Sequence, residues 1–153
     1  MILTVLAEKG GTGKTKVATN LAGMRAGRGR RVLLIDADRQ GSSERWGELR
    51  SADRLPRVEC APVYGAALRR YLQTRVSRYH DVVIDVGAGD SDEMGVALAA
   101  SDCAVIPVRP TAADVWTMTL MDGRIAEAMS GNPGLAAWAL INLASTNPRQ
   151  PAA

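Results

Sequence analysis

Short apolar runs alternate with longer segments of helical spacing along most of the chain. Residues 32–35 and 82–84 are apolar at consecutive positions, which is typical of strands buried on both faces of a sheet. Alternating strands and helices of these lengths favour parallel pairing. We therefore predict an α/β fold, a mostly parallel twisted sheet with helices on both faces. Strands are predicted at residues 2–6, 31–36, 57–60, 81–86, 103–108 and 137–142, and helices at 14–27, 43–52, 64–78, 92–100 and 113–129.

A glycine-rich segment lies between the first predicted strand and the first predicted helix. Glycines in such a turn let backbone N–H groups face an anion, and the start of a helix adds positive potential there. Lys14 would supply charge to the terminal phosphates of a nucleotide, and the Thr15 hydroxyl would ligate Mg²⁺. The segment predicts a phosphate-binding loop, and thus a P-loop NTPase. Its nucleotide-binding residues are Gly10, Gly11, Thr12, Gly13, Lys14 and Thr15.

A carboxylate ends the apolar run 82–84. In this position Asp85 would hold Mg²⁺ through a water molecule while Thr15 ligates the ion directly. The alternative is an aspartate that caps the following turn through its own backbone. The phosphate-binding loop upstream favours the metal-binding role.

Two further carboxylates follow the apolar run 32–35. Asp36 and Asp38 are two residues apart, so both face one side of an extended chain, at the end of the sheet where such folds bind ligands. Alternatively, both are solvated loop carboxylates, with Asp38 paired to Arg39 or Arg45. We favour a functional role for both.

The head of the loop differs from the general phosphate-loop pattern. Glu8 stands where that pattern has its first glycine, and Lys9 adds a second lysine. In this form, K-G-G-x-G-K-[ST], residues 9–15 resemble the deviant Walker A motif of the ParA/MinD group of ATPases, in particular the small plasmid-type ParA partition ATPases. The resemblance implies that Lys9 reaches across a nucleotide-sandwich dimer to the partner subunit's phosphates. The alternative for Lys9 is a solvated loop charge.

The same resemblance assigns roles further along the chain. It places Asp36 near Mg²⁺ and gives Asp38 the task of orienting or activating the attacking water. Gly87 belongs to a segment similar to the family's second switch, near the γ-phosphate. Asn142 corresponds to an amide that reads the adenine edge, although an asparagine often simply ends a strand. Lys16 replaces the threonine that relatives usually place near the α-phosphate, so its charge either substitutes for that contact or points to solvent.

The implied function is that of a ParA-like ATPase. Mg-ATP would drive dimerisation, and slow hydrolysis, stimulated by a ParB-like DNA-binding partner, would reset a cycle that partitions plasmid or chromosomal DNA or positions other cargo. Lys9, Lys14 and Asp38 would be the catalytic residues. Non-specific DNA binding is implied for the ATP-bound dimer. The alternatives are a MinD-like ATPase that cycles on a membrane, a nucleotide-dependent interaction module without hydrolysis, and a GTP-specific or small-molecule-activating relative.

Composition sets the outer bounds. The chain has 153 residues, a formal net charge of +3 and 46% apolar residues, without a long apolar run, which is typical of one soluble globular domain. We expect a cytoplasmic protein that binds no membrane, because there is no secretory signal and the two cysteines are isolated. The expected domain covers residues 1–145, followed by an irregular tail at 146–153. From the resemblance, we expect the C-terminal portion of ParA-like ATPases to have no counterpart in residues 1–153, whether the sequence is a fragment or a naturally short homologue.

Overall fold

In the computed structural model, which describes residues 1–89 and 91–144, strands and helices alternate as the apolar pattern predicts. The strands are β1 Ile2–Ala7, β2 Val32–Ala37, β3 Val58–Pro62, β4 Asp81–Ala88, β5 Cys103–Val108 and β6 Ala136–Ile141. The helices are α1 Lys14–Gly27, α2 Ser42–Ala52, α3 Ala67–Arg75, α4 Asp92–Ala100 and α5 Ala112–Gly131, and a 3-10 turn spans Val76–Arg78. Among the described residues, no helix is long and apolar enough to cross a membrane.

All strand pairs are parallel, and the sheet has the order β3-β2-β4-β1-β5-β6. This confirms the predicted α/β fold and its parallel sheet. The strand order reverses beside β1, where the chain moves from one half of the sheet to the other. Ligands of open α/β sheets bind at the carboxyl ends of the strands at such a point, and the glycine-rich loop follows β1 directly.

Helices cover both faces of the central strands. On one face, α3, α4 and α5 enclose a cluster that includes Leu33, Ile35 and Ile84. On the other face, α1 packs over Leu34 and Val83. Consecutive strand residues thus point into opposite clusters, which explains why these runs are apolar at every position rather than at alternate ones.

The cover thins toward β6, which forms one edge of the sheet. Trp138 is 65% exposed and Ile141 is 69% exposed, although their side chains point to opposite faces. Most positions of this strand are exposed, whereas every position of β2 is buried. In the described residues, the core is therefore complete around β1, β2 and β4 and incomplete beside β6.

Some element boundaries differ from prediction. Helix α3 begins three residues later than expected because Gly65 has a φ of +58° and donates its N–H to the Glu93 carboxylate at 2.7 Å. The last turn of the predicted helix is a 3-10 turn. Strand β4 continues to Ala88, past its predicted end at residue 86. The predicted tail, residues 146–153, lies outside the described residues.

Candidate nucleotide site

The loop between β1 and α1 forms an open cradle. Gly11 and Gly13 adopt φ values of +75° and +91°, which L side chains rarely adopt. A Cβ on Gly10 or Gly11 would meet no heavy atom within 4 Å, so the space over the loop is free. Gly13 precedes α1 without a side-chain cap, which leaves N–H groups of the first helical turn available to an anion.

Lys14 is a buried cation at the base of this cradle. Its side chain is only 7% exposed, and its Nζ donates to the Lys9 carbonyl at 3.3 Å. Burial lowers the pKa of the Lys14 ammonium, while the charges of Asp85 and Asp38 act to raise it. A buried ammonium with one long hydrogen bond is well suited to accept an anionic partner.

A cavity of about 900 Å³ opens beside the loop. Asp38 and Gly87 line it from the ends of β2 and β4, and a Cβ on Gly87 would lie 3.6 Å from the Asp38 carboxyl carbon. The structure therefore brings the predicted second-switch glycine against the predicted water-orienting carboxylate. The cavity is lined by Gly10, Gly11, Gly13, Lys14, Thr15, Lys16, Thr19, Asn20, Ala37, Asp38, Arg39, Gln40, Ser42, Trp46, Gly87, Ala88 and Ser91.

Asp36 and Asp85 stand behind this cavity rather than in its lining. They are register partners on the adjacent strands β2 and β4, and both side chains are buried. The two carboxylate oxygens of Asp36 accept hydrogen bonds from the backbone N–H groups of Asp38, at 3.1 Å, and Glu44, at 2.9 Å. Asp36 thus shapes the turn that presents Asp38 and the start of α2.

Asp85 has an incomplete set of partners. Its Oδ2 accepts a hydrogen bond from the Ser43 hydroxyl at 2.7 Å, whereas its buried Oδ1 has no hydrogen-bond partner in the described residues. Burial raises the pKa of the Asp85 carboxyl to about 6, against hydrogen bonds from the Ser43 and Thr15 hydroxyls and the charge of Lys14. An ionised carboxylate here would gain from a cation at its free oxygen.

Comparison with known proteins agrees with this geometry. Residues 3–141 match the model of the family described as the CobQ/CobB/MinD/ParA nucleotide binding domain. The chain belongs to this family. The match runs from β1 to the end of β6 and so includes the loop, both acidic strand ends and the cavity.

Individual members of the CobQ/CobB/MinD/ParA family show the same relationship. The chain is 37% identical over 115 residues to a maintenance of carboxysome distribution protein A of Gloeobacter kilaueensis, a match that covers 74% of this chain and 51% of that protein. It is 36% identical over 108 residues to the chromosome partitioning protein ParA of Caulobacter vibrioides, covering 67% of this chain and 37% of that protein. The matches thus span about half or less of these two relatives.

A solved structure shows the same fold. A putative plasmid partition protein from Borrelia burgdorferi B31 bound to AMPPNP superposes with a TM-score of 0.79 at 21% identity, covering 95% of this chain and 75% of that chain. At this identity the likeness concerns the fold alone.

Lys9, the lysine that marks the ParA/MinD form of the loop, points away from the cavity. Its Nζ donates to the Ala113 carbonyl at 2.7 Å and lies 3.8 Å from the Asp114 carboxylate. Asp114 also accepts hydrogen bonds from Arg109 at 2.8 Å and from the Thr111 hydroxyl at 2.6 Å. In the single chain, Lys9 is held at the start of α5, so any role at a nucleotide requires it to leave this position or to act on another copy.

Asn142 and Lys16 occupy different surroundings. The Asn142 amide donates to the Thr12 carbonyl at 2.8 Å, which joins the residue after β6 to the phosphate loop and leaves the amide oxygen for another partner. Lys16 lines the cavity from the first turn of α1, where it is exposed. In the described part of the chain, its ammonium has no hydrogen-bond or ion-pair partner.

Three residues at or near the site were not predicted from the sequence. Ser43 is buried and holds Asp85, and the signal available was a pair of serines after Gly41 at the start of a predicted helix. Trp46 lines the cavity from α2, one helical turn later. Asp114 was also missed, although Thr111 and Asp114 form a helix-capping pair that is readable from their spacing.

Proposed function

We propose that the chain is a ParA-like ATPase that binds Mg-ATP over the glycine loop, dimerises through the bound nucleotide and hydrolyses it slowly. One observation carries the proposal: the buried Lys14 ammonium lines the open cradle, and the charge of the buried Asp85 acts on it from behind the cavity, with an Asp85 Oδ1 that has no hydrogen-bond partner in the described residues. Opposite charges with unused hydrogen-bonding capacity match a polyphosphate chelated by a divalent cation.

The residues present fit both parts of this ligand. Open space over Gly10 and Gly11 admits phosphates close to the backbone, and the uncapped start of α1 offers N–H donors to them. The Thr15 hydroxyl and Asp85 supply the oxygen ligands that Mg²⁺ prefers, Asp85 through a water molecule, with Asp36 alongside. Bound Mg²⁺ would neutralise phosphate charge during phosphoryl transfer.

Asp38 is the residue best placed to act on water. It lines the cavity while its Oδ1 is fixed by the Gln40 backbone N–H at 3.0 Å, so the carboxylate is held in place and still borders the space where a nucleophile would enter. Gly87 beside it leaves room for that approach. We assign to Asp38 the orientation or activation of the attacking water.

The proposal assigns Lys9 to the partner subunit's nucleotide in a homodimer. A cation supplied to a phosphoryl-transfer site from outside raises the rate by roughly 10³ to 10⁵-fold, so a single chain would turn over very slowly. Because Lys9 is engaged by Ala113 and Asp114, it adds no charge to its own cavity. Formation of the dimer would therefore determine when ATP is hydrolysed.

The relatives support a proposal for the cargo and the partner. Proteins named for partition and for carboxysome distribution share this domain, which supports the partition of DNA or the positioning of another large cargo. We propose a cytoplasmic cycle with a ParB-like partner that stimulates hydrolysis and with non-specific DNA as a surface for movement. The domain extends over residues 1–145 in this proposal.

A second candidate is a nucleotide-dependent interaction module that does not hydrolyse ATP. The contact of Lys9 with α5 favours it, because the cation needed for turnover is occupied in the single chain. Steady-state phosphate release with Mg-ATP separates the two functions. Turnover that disappears in Asp38→Ala supports the ATPase, whereas the same low phosphate release from both proteins supports the module.

Nucleotide binding itself is tested with Lys14→Ala. We expect its Kd for Mg-ATP to rise roughly 100-fold, a change of about 2.7 kcal/mol, because a buried phosphate ligand is lost. Titration calorimetry measures the Kd, and Arg70→Ala, which removes one exposed charge from α3, is the matched control. Equal Mg-ATP affinity in the parent and Lys14→Ala proteins would contradict the proposal.

Assembly is tested by sedimentation of the parent and of Lys9→Ala with and without Mg-ATP. The parent should form a dimer only with the nucleotide, and Lys9→Ala should require at least about tenfold more protein to do so, a loss of about 1.4 kcal/mol. A parent chain that stays monomeric at saturating Mg-ATP would remove the dimer from the proposal.

A further inference from the structure

Six arginines gather at the end of the sheet opposite the phosphate loop. The connections that lead into β2, β3 and β4 are residues 28–31, 53–57 and 76–80, and together they contain six of the chain's nineteen lysines and arginines. These three strands are neighbours in the sheet, and parallel strands begin at the same edge. We call these three connections the amino-end face. Its arginines are Arg28, Arg30, Arg31, Arg54, Arg57 and Arg78.

Most of this charge is not neutralised within the chain. Arg30 is engaged by the buried Asp81, which it shares with Arg25. The other five arginines are exposed, and their side chains make no hydrogen bond or ion pair in residues 1–89 and 91–144. Asp53 is the acidic residue within the three connections. The amino-end face therefore carries a net positive charge that requires solvent or an external anion.

Three of the arginines border one cavity, and Arg30 is the one among them that is already engaged by a carboxylate. The cavity has a volume of about 420 Å³, and Arg31 and Arg57 border it from the connections into β2 and β3. Tyr79 lines it as well, with its hydroxyl hydrogen-bonded to Glu59, the acidic residue that faces the cavity. Two guanidinium groups with unused donors thus flank one recess, against one carboxylate that is already engaged.

We infer that the amino-end face binds the phosphate backbone of nucleic acid, and that it does so without ATP and without a second copy of the chain. This inference rests on the proposed function and deepens it, because it assigns the DNA contact to one surface of the chain. The family resemblance implies DNA binding by an ATP-bound dimer, whereas the arginines of this face are already assembled in one chain.

The arrangement suits a nucleic acid better than a membrane. Guanidinium groups match phosphate oxygens with paired donors. Three adjacent strands span about 10 Å, a length of duplex axis along which one DNA strand carries about three phosphates. A membrane-binding face also needs apolar residues that enter the lipid, and in these three connections Leu55 is the exposed large apolar residue.

The location separates the two binding events. Residues 32–37 of β2 span about 20 Å between the amino-end face and the turn that carries Asp38. A phosphate backbone at one end and a nucleotide at the other would therefore not collide. Nucleic acid can therefore bind at this face whether or not a nucleotide fills the cavity at the carboxyl end.

The test measures binding of a fluorescent 30-base-pair random duplex by anisotropy, without nucleotide, from 50 to 200 mM salt. We compare the parent, the double variant Arg31→Gln/Arg57→Gln, and the matched control Arg69→Gln/Arg70→Gln, which removes two exposed arginines of α3. We expect the slope of log K against log salt to fall by about two in the first variant and to stay unchanged in the control. Circular dichroism verifies that all three are folded.

Three outcomes would overturn the inference: no duplex binding by the parent at 50 mM salt, equal losses in the two double variants, or binding that appears only with Mg-ATP. Anionic phosphatidylserine vesicles form a parallel arm, and tighter binding to them than to the duplex, lost in Arg31→Gln/Arg57→Gln, would reassign the face to a membrane. Lys14→Ala separates this inference from the proposed function, because it should lose Mg-ATP and keep the duplex.

Discussion

Two aspartates of β4, its first residue and the residue four positions later, show how hydrogen-bond partners, rather than burial, distinguish structural from functional carboxylates. Asp81 and Asp85 are both 1% exposed and point to the same face of one strand. Although burial raises the pKa of Asp81, hydrogen bonds from Arg25 and Arg30 lower it to about 2. Asp85 has neutral hydroxyl groups, those of Ser43 and Thr15, as its side-chain donors in the described residues, and burial raises its pKa to about 6. The first carboxylate is satisfied within the fold, and the second requires a cation from outside.

The largest expected effect is a difference in response to ligand. At a Mg-ATP concentration about 100 times its Kd, the parent should gain about 2.7 kcal/mol in unfolding free energy. Asp81→Asn should gain the same unfolding free energy when it is equally saturated with Mg-ATP. Asp85→Asn, measured at the Mg-ATP concentration used for the parent, should gain less than half as much, because it has lost a Mg²⁺ ligand. Chemical denaturation with and without Mg-ATP measures this, and equal gains in both variants would abolish the distinction.

The next effect concerns stability without ligand. Asp81→Asn should lower the unfolding free energy by about 2 kcal/mol at pH 7, since a pKa lowered from 3.8 to about 2 reports interactions of that size. Urea denaturation at pH 7 measures the loss. An unchanged midpoint would mean that the two arginines contribute nothing net, as exposed ion pairs often do.

Asp85→Asn should have the opposite sign. Its pKa is raised from 3.8 to about 6, so the ionised form is disfavoured in the fold. Without nucleotide and Mg²⁺ at pH 8, the variant should therefore be more stable than the parent by on the order of 1 to 2 kcal/mol. Thermal unfolding in the presence of a chelator is the measurement, and destabilisation would show that the carboxylate is satisfied after all.

The smallest effect is the pH dependence of the parent itself. The contribution of Asp85 is lost as the pH rises from about 4 to 6, while that of Asp81 is retained above pH 4 and lost as the pH falls toward 2. The chelated parent should therefore gain about 1 kcal/mol between pH 7 and 5, and this gain should be missing in Asp85→Asn. A pH series of urea midpoints resolves the two phases.

The pattern of neighbouring residues was sufficient to predict the strands and helices and the loop after β1. The unbroken apolar runs at 32–35 and 82–84 predict strands buried on both faces, because β2 and β4 are central and covered by helices. The sequence of residues 9–15 predicts the conformation of the loop, because Gly11 and Gly13 stand where the backbone has a positive φ that other residues rarely adopt. Both signals depend on residues close together in sequence.

Contacts between residues that are distant in sequence and become neighbours through strand pairing could not be predicted from local pattern. Arg25 and Arg30 meet Asp81 only because β4 pairs with β2, and Lys9 meets Ala113 only because β5 pairs with β1. Sequence spacing gives no distance between such residues. The hydroxyl of Ser43 illustrates the same limit, since its role depends on β4 lying beside the start of α2.

The bond from Asn142 to the Thr12 carbonyl also limits how this chain can change over generations. The same amide nitrogen occupies the space where a side chain at Gly13 would have to begin. A mutation at position 13 would displace Asn142, and a bulkier residue at 142 would press on the loop. The amino acids tolerated at position 13 therefore depend on those at position 142, although the two are 129 residues apart in the chain. Substitutions just after β6 are limited by the phosphate loop.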